Sequence, residues 1–225
     1  WGRRSNGRVG FPLLVRQNRR LGFDARRIRD AGGPVLCEVL VNTMWSLSEQ
    51  ALGRPSPTPA LVARLWDERL GHFVDEAAPG SVRPEVLTWA ALAPLALPDL
   101  PEEIGRRMVE QHLLNDEEFL TPVAPPSVAA SEPSYEPSGG SGPIRRYWRG
   151  PTWVNSAWMV WIGLRRLGHE QEANRLAAGL IGAVEREGLR EYYDPRTGAG
   201  LGAKDFAWSA LICELADPQG PIEDK

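Results

Sequence analysis

Cysteine and lysine are the scarce residues of this 225-residue sequence. The two cysteines, Cys37 and Cys213, stand far apart with no second pair and no metal-ligand spacing, which excludes a disulfide scaffold and a zinc module. Neither a metal nor a cofactor is expected, and both thiols are expected to sit reduced on apolar helix faces. Of the 26 basic residues only Lys204 and Lys225 are lysine, an arginine bias that reflects a GC-rich coding sequence before any chemistry. Long apolar runs are missing too. None approaches the ~18 residues of a membrane span, each being broken by Gly, Pro or Arg. Excess positive charge is also absent: 29 acidic residues outweigh the 26 basic ones, and a net charge of −3 removes the electrostatic basis for general nucleic-acid binding. Neither a membrane nor a nucleic acid is therefore expected as a partner. The first residue is Trp1 rather than Met, so the native amino terminus is expected upstream and signal-peptide reasoning has no purchase. A cytoplasmic location is the expectation.

Tryptophan, by contrast, is plentiful, with nine residues. Large flat rings suit either a sizeable core or a sugar-binding cleft. Apolar periodicity is helical nearly throughout. An arginine-flanked helix following Phe11-Pro12-Leu13-Leu14-Val15 is expected to end near Gly22. Further helices are expected over Pro34–Gly53, from Thr58-Pro59 through Leu61–Leu70 to Gly71, and over Pro84–Leu97. A fourth opens at Leu100-Pro101-Glu102-Glu103, with acids at the positive end of the dipole, and runs to about Leu114. The pattern fails from Pro122 to Gly142, a Pro/Ser/Gly/Ala-rich stretch too long for an ordinary connection. Helices resume over Thr152–Leu167, Glu170–Glu187 and Phe206–Leu215, with short β elements expected in the Leu70–Val82 and Glu191–Lys204 loops. The fold class is all-α, with helix pairs joined by turns of the kind an α/α toroid uses.

Three segments bear on chemistry. Gly198-Ala-Gly-Leu-Gly-Ala203 looks like a phosphate-binding loop, but a turn sequence, Asp194-Pro195-Arg196-Thr197, precedes it where a dinucleotide site requires a strand. Nucleotide binding is set aside. Tyr147-Trp148-Arg149-Gly150-Pro151-Thr152-Trp153 gathers three aromatics and an arginine where a loop enters a helix. Such rings either stack on the C–H faces of a pyranose or pack the core, and composition leaves both open; Trp158 and Trp161 read as core. Arg190-Glu191-Tyr192-Tyr193-Asp194-Pro195 puts two carboxylates around two tyrosines just after a helix ends. Glycoside hydrolysis needs carboxylates, one to protonate the leaving oxygen and one to activate water. Asp194 before Pro195 reads as an Asx-type bend, whereas Glu191 reads as chemistry.

The ordered set Tyr147–Trp153, Gly163-Leu164, Glu191–Gly198 and Phe206-Ala207-Trp208-Ser209 resembles the carboxy-terminal part of glycoside hydrolase family 63 and its trehalase-like relatives. Within these it is most similar to the bacterial glucosylglycerate and mannosylglycerate hydrolases. Val39-Leu40-Val41-Asn42 and Leu65-Trp66-Asp67-Glu68, with Gly71 and Phe73, extend the likeness to nearly the whole chain. The resemblance implies an (α/α)6 barrel, of which residues 1–225 would be a single incomplete domain, about its carboxy-terminal half. It implies an inverting, cofactor-free hydrolase with Glu191 as general base. Tyr147, Trp148 and Trp153 would line the subsite for the cleaved sugar, and 122–142 would match a loop that covers the site and can be mobile. The family's general acid is an aspartate upstream of the position matching Trp1. Asp24, Asp30, Asp67 and Asp75 are available carboxylates, but none lies in that acid motif.

The complete protein is thus expected to hydrolyse a small α-glucoside or α-mannoside, foremost 2-O-glucosylglycerate or mannosylglycerate, while the chain alone is expected to be inactive. A trehalase or oligosaccharide α-glucosidase of the same barrel, a non-catalytic carbohydrate-binding half-barrel and a helical interaction module are the rival expectations. An apolar face exposed where further helices would pack predicts homo-oligomeric association.

Overall fold

The computed structural model describes residues 7–33, 36–76, 85–140 and 147–217. The chain forms two compact units, Trp1–Glu38 with Val74–Glu85, and Val39–Phe73 with Val86–Lys225. The first holds α1 (Gly7–Arg20) and α2 (Ala25–Asp30). Asp24 begins α2 by accepting the Arg27 N–H at 2.9 Å, satisfying one of the donors that a helix start leaves unpaired. An isolated antiparallel bridge joins Cys37 to Glu76.

The second unit opens with α3 (Val39–Ala51) and α4 (Thr58–Leu65), followed by the hairpin β1 (Trp66–Asp67) and β2 (His72–Phe73). Two 3₁₀ turns, Trp89–Ala91 and Ala93–Ala96, lead to α5 (Glu102–Met108), which widens into a π turn over Val109–Leu113. Beyond a long connection come α6 (Val154–Arg166), α7 (Glu170–Glu187) and the hairpin of β3 (Arg190–Tyr193) and β4 (Gly200–Lys204). A 3₁₀ turn, Ala207–Leu211, then runs into α8 (Ile212–Ala216).

The centre of this unit follows from spacing. In α7 the buried residues are Ala173, Leu176, Ala177, Leu180 and Ala183, three and four apart, one stripe of a 3.6-residue helix. Glycines in α7 and α6 let neighbours approach. A Cβ built on Gly179 would sit 2.1 Å from the Val123 carbonyl oxygen, and one on Gly163 of α6 would sit 2.4 Å from Leu95 Cβ. Bulk at either glycine would push apart segments that touch backbone to side. Gly188 ends α7 in the left-handed region at φ 74, where a Cβ would be strained. The outward side of α3 carries exposed Val41, Met44 and Trp45, and Leu52 just past its end is exposed too.

Several expected elements take another form. The run read as a helix over Pro84–Leu97 is two 3₁₀ turns in its described part (Pro84 lies outside the described residues). Ala91–Leu97 are buried on every side, so no helical phase is selected, and Pro94 has no N–H to continue a helix. The Pro34 start of an expected helix also lies outside the described residues; α3 itself begins at Val39. Helix α4 stops at Leu65 because the chain turns through Asp67, whose Oδ1 accepts the N–H groups of Arg69 and Leu70 at 3.0 and 3.1 Å. Cys37 sits on a bridge rather than a helix, and Cys213 on α8 is exposed. Helix α2 has no counterpart among the sequence expectations. Residues 122–140 of the Pro-rich stretch are packed in place, with Val123–Ala129 all buried; the 141–142 end lies outside the described residues.

Candidate functional site

The aromatic block enters the site on a scaffold of backbone bonds. Gly150 adopts φ +142, and a Cβ there would lie 2.6–2.8 Å from backbone atoms of Glu136, so only glycine fits. Its N–H donates to Ser127 Oγ at 2.8 Å, while the Ser127 N–H donates to the Pro151 carbonyl at 3.0 Å. The Thr152 hydroxyl donates to the Ala124 carbonyl at 2.7 Å. Thr152 also exchanges two backbone bonds with Tyr193, each 2.9 Å. Thr152 is thus extended, and α6 begins only at Val154. The sequence expectation of a helix from Thr152 is corrected by that bridge: a residue paired as a strand cannot also be the first helical one.

The bridge ties the aromatic block to β3. Tyr193 is fully buried, its hydroxyl donating to the Gly188 carbonyl at 2.8 Å and accepting the Arg190 N–H at 2.9 Å. Burial pushes its phenol pKa up. Around this post the rings gather. Trp153 lies 5.1 Å from Tyr192 and 6.3 Å from Trp208, and Tyr147 lies 4.9 Å from Trp148 and stacks on Tyr192 at 5.8 Å. Phe206 and Trp208 meet edge to face at 5.4 Å. Three of these rings keep a solvent face: Tyr147 is 37%, Trp148 49% and Trp208 57% exposed. Leaving that much ring in water forgoes part of its burial energy, roughly 25 cal/mol per Å².

These rings surround a cavity of about 420 Å³ lined by Trp89, Ser127, Tyr147, Trp148, Trp153, Asn155, Ser156, Glu191, Phe206 and Trp208. All four residues singled out in the sequence, Glu191, Tyr147, Trp148 and Trp153, meet on it. Glu191 is the only carboxylate among the described lining residues. Its Oε2 accepts the Ala203 N–H at 3.0 Å across the β3–β4 hairpin. Among the described residues Oε1 accepts no hydrogen bond. Apolar walls, ring faces and a few oriented polar groups are what a small-molecule site of this volume requires. Among the described residues no group of three or more His, Cys, Asp or Glu side chains is placed to hold a metal ion.

Asp194, just past the end of β3, serves a turn. Burial pushes its carboxyl up, but the Arg196 guanidinium, bonded at 3.1 and 2.8 Å, and the Arg196 N–H at 2.9 Å outweigh this and hold it below the ordinary aspartate range. Trp89, Ser127, Asn155 and Ser156 line the cavity without a local mark in the sequence. Trp89 is hidden in an apolar run that reads as helix, and Ser127 in a Pro-rich segment. Phe206 and Trp208 do carry a signal, as an aromatic pair after a polar turn.

Fold and site together define a class. The helical frame is that of the (α/α)6-barrel glycoside hydrolases. A family model described as the mannosylglycerate hydrolase MGH1-like glycoside hydrolase domain matches residues 56–209, and the chain belongs to that family, within glycoside hydrolase family 63. The chain is 28% identical to a mannosylglycerate hydrolase of Rubrobacter radiotolerans over 90% of its own length and 48% of the relative's. It is 30% identical to a glucosylglycerate hydrolase of Mycolicibacterium hassiacum, over 89% and 48%. Crystal structures of the family 63 mannosylglycerate hydrolase from Thermus thermophilus, 28% identical, superpose with TM-scores of 0.75 for the glucose complex and 0.72 for the complex with Tris and D-glycerate. Each match covers 90% of this chain and 50% of that one. The chain therefore spans about half the length of these relatives.

Proposed function

We propose that the protein acts as an inverting glycoside hydrolase on a small α-mannoside or α-glucoside, foremost 2-O-mannosylglycerate or 2-O-glucosylglycerate. The observation that carries this reading is the Glu191 carboxylate on a cavity walled by Tyr147, Trp148 and Trp153. Indole and phenol faces stack on the C–H face of a pyranose, and their N–H and O–H groups bond its hydroxyls. Glu191 takes a proton from water as the water attacks the anomeric carbon on the face opposite the leaving glycerate. The C–O bond to the aglycone breaks, and a second carboxyl group, as the acid, protonates the departing oxygen. No cofactor enters this scheme. An inverting pair stands ~6.5–9.5 Å apart to leave room for the water.

The names of the relatives, and the glucose and D-glycerate in two of the related structures, support the substrate class. Because Glu191 is the only acid among the described lining residues, turnover by these 225 residues on their own is proposed to be low. The same observation favours the second reading, a carbohydrate-binding site without catalysis. The segment 122–142 is proposed as a cover of the site, a role supported by Ser127 on the cavity wall. Homo-oligomeric assembly is supported by the exposed apolar side of α3.

Proton NMR of fresh product tests the reading. The full-length protein should release the β-anomer of mannose or glucose from the α-glycoside of glycerate before mutarotation blurs the signal. The α-anomer appearing first, or no hydrolysis of either compound, would contradict it.

A further inference from the structure

We propose that the bulge formed by Gly202 and Ala203 in β4 is a positioning device for Glu191, fixing one carboxylate oxygen so that the other takes the proton from water. The proposal rests on Glu191 being the base.

The register of the hairpin makes the device visible. Arg190 pairs with Lys204 and Tyr192 pairs with Leu201, so Glu191 alone on β3 faces both Gly202 and Ala203 on β4. Two residues opposite one, the first a glycine in the left-handed region, is the geometry of a glycine bulge, a device that re-aims a side chain beside active sites. Gly202 has φ +67, as that geometry requires. The missing side chain is needed for a second reason. A Cβ on Gly202 would lie 2.5 Å from Glu191 Oε2, 2.7 Å from Glu191 Cβ and 2.6 Å from Tyr192 Cε1. The carboxylate therefore occupies the space that any other residue at 202 would fill.

The bulge also supplies a donor. The N–H of Ala203 meets Oε2 at 3.0 Å, holding the end of a side chain that would otherwise rotate about three bonds. Its own position is tied down in turn. The Arg190 guanidinium donates to the Gly202 carbonyl at 3.2 Å, the Arg190 N–H donates to the Tyr193 hydroxyl, and the Ser209 hydroxyl donates to the Arg190 carbonyl. Glu191 is thus referred, through its partner strand, to the most deeply buried tyrosine of the unit. Oε1 is left without such a bond among the described residues, and it lies on the residue that lines the cavity. Gly202 and Ala203 touch no substrate in this scheme; they are positioning residues.

Two variants of the full-length protein test the device, with hydrolysis of 2-O-mannosylglycerate and 2-O-glucosylglycerate as the assay and tryptophan fluorescence as the binding readout. Gly202→Ala drives a methyl into the carboxylate's place, and kcat should fall about 10²-fold, the cost of misplacing a reacting group by about 1 Å. Ala203→Pro removes the N–H donor and turns a ring carbon toward Oε2 in its place, and kcat should fall at least about tenfold. In Ala203→Pro, KM and sugar binding should stay within about threefold of the parent, since Ala203 is not on the cavity wall. The Gly202→Ala methyl also meets Tyr192 behind Tyr147 and Trp153, so there kcat should fall by far more than KM rises. Should Gly202→Ala fail to fold, Ala203→Pro decides. Turnover within about threefold of the parent, or in Ala203→Pro a KM that worsens as much as kcat, overturns the positioning role. Glu191→Gln in the same assay separates the two claims. If it loses turnover while the bulge variants do not, the base stands and the bulge is structural; if it retains turnover, base and positioning device fall together.

Discussion

Trp153 and Trp161 lie eight residues apart on one stretch of chain, yet they meet opposite surroundings. Trp161 is 3% exposed on the inner side of α6, with the Arg165 guanidinium 5.1 Å from its ring centre. Trp153 is half-buried at the extended entry to that helix, among Tyr147, Tyr192 and Trp208 on the cavity wall. Helical phase alone sends Trp161 inward. Trp153 is aimed by something else, the pairing of Thr152 with Tyr193 and the glycine at 150 that lets the chain cross Glu136. One ring is placed by its own helix, the other by strands and loops distant in sequence.

The contrast can be broken by truncating each ring in turn. Trp161→Ala should cost about 3–5 kcal/mol of stability, the range for removing a large core aromatic, read as a lowered thermal midpoint. Trp153→Ala should instead weaken sugar affinity by about 1–3 kcal/mol, a range transferred by analogy from bases stacked on aromatics, with a smaller loss of stability. Fluorescence titration with glucose or mannose alongside a melting curve measures both. A large stability loss with unchanged affinity at Trp153 would move that ring into the core and erase the distinction.

Asp194 sharpens the comparison at the smallest scale, since it shares a hairpin with Glu191 but serves the turn. Its pKa is held below the ordinary value, so the stability from its bonds with Arg196 is complete above about pH 4 and fades as the pH falls through the lower folded value. Asp194→Asn should cost about 1 kcal/mol at neutral pH, modest because Arg196 is exposed. The gap to the parent should close in acid. A constant gap from pH 7 to below pH 3 would place the loss elsewhere than in this ion pair.

The same division explains what could be read from the chain. Helix α7 was legible because its buried alanines and leucines keep one phase over 18 residues. The stretch before Leu97 was not, because apolar residues on every side give no phase and Pro94 breaks what remains. At the site, Tyr147, Trp148, Trp153 and Glu191 stand out as a dense aromatic block and an acid beside two tyrosines. Trp89, Asn155 and Ser156 carry no local signal; they reach the cavity through tertiary packing. Gly202 lies in plain view within a glycine-rich run, but its meaning depends on which residue of β3 it faces, and that register is a property of the folded hairpin.

Turnover by Glu191→Gln in the full-length protein, measured on 2-O-mannosylglycerate beside the parent, tests the central claim most directly. Size and hydrogen bonding are nearly kept while proton acceptance is lost, so hydrolysis should fall by about 10²–10⁴-fold with sugar binding retained. Turnover within tenfold of the parent would contradict the claim and remove Glu191 from the role of base.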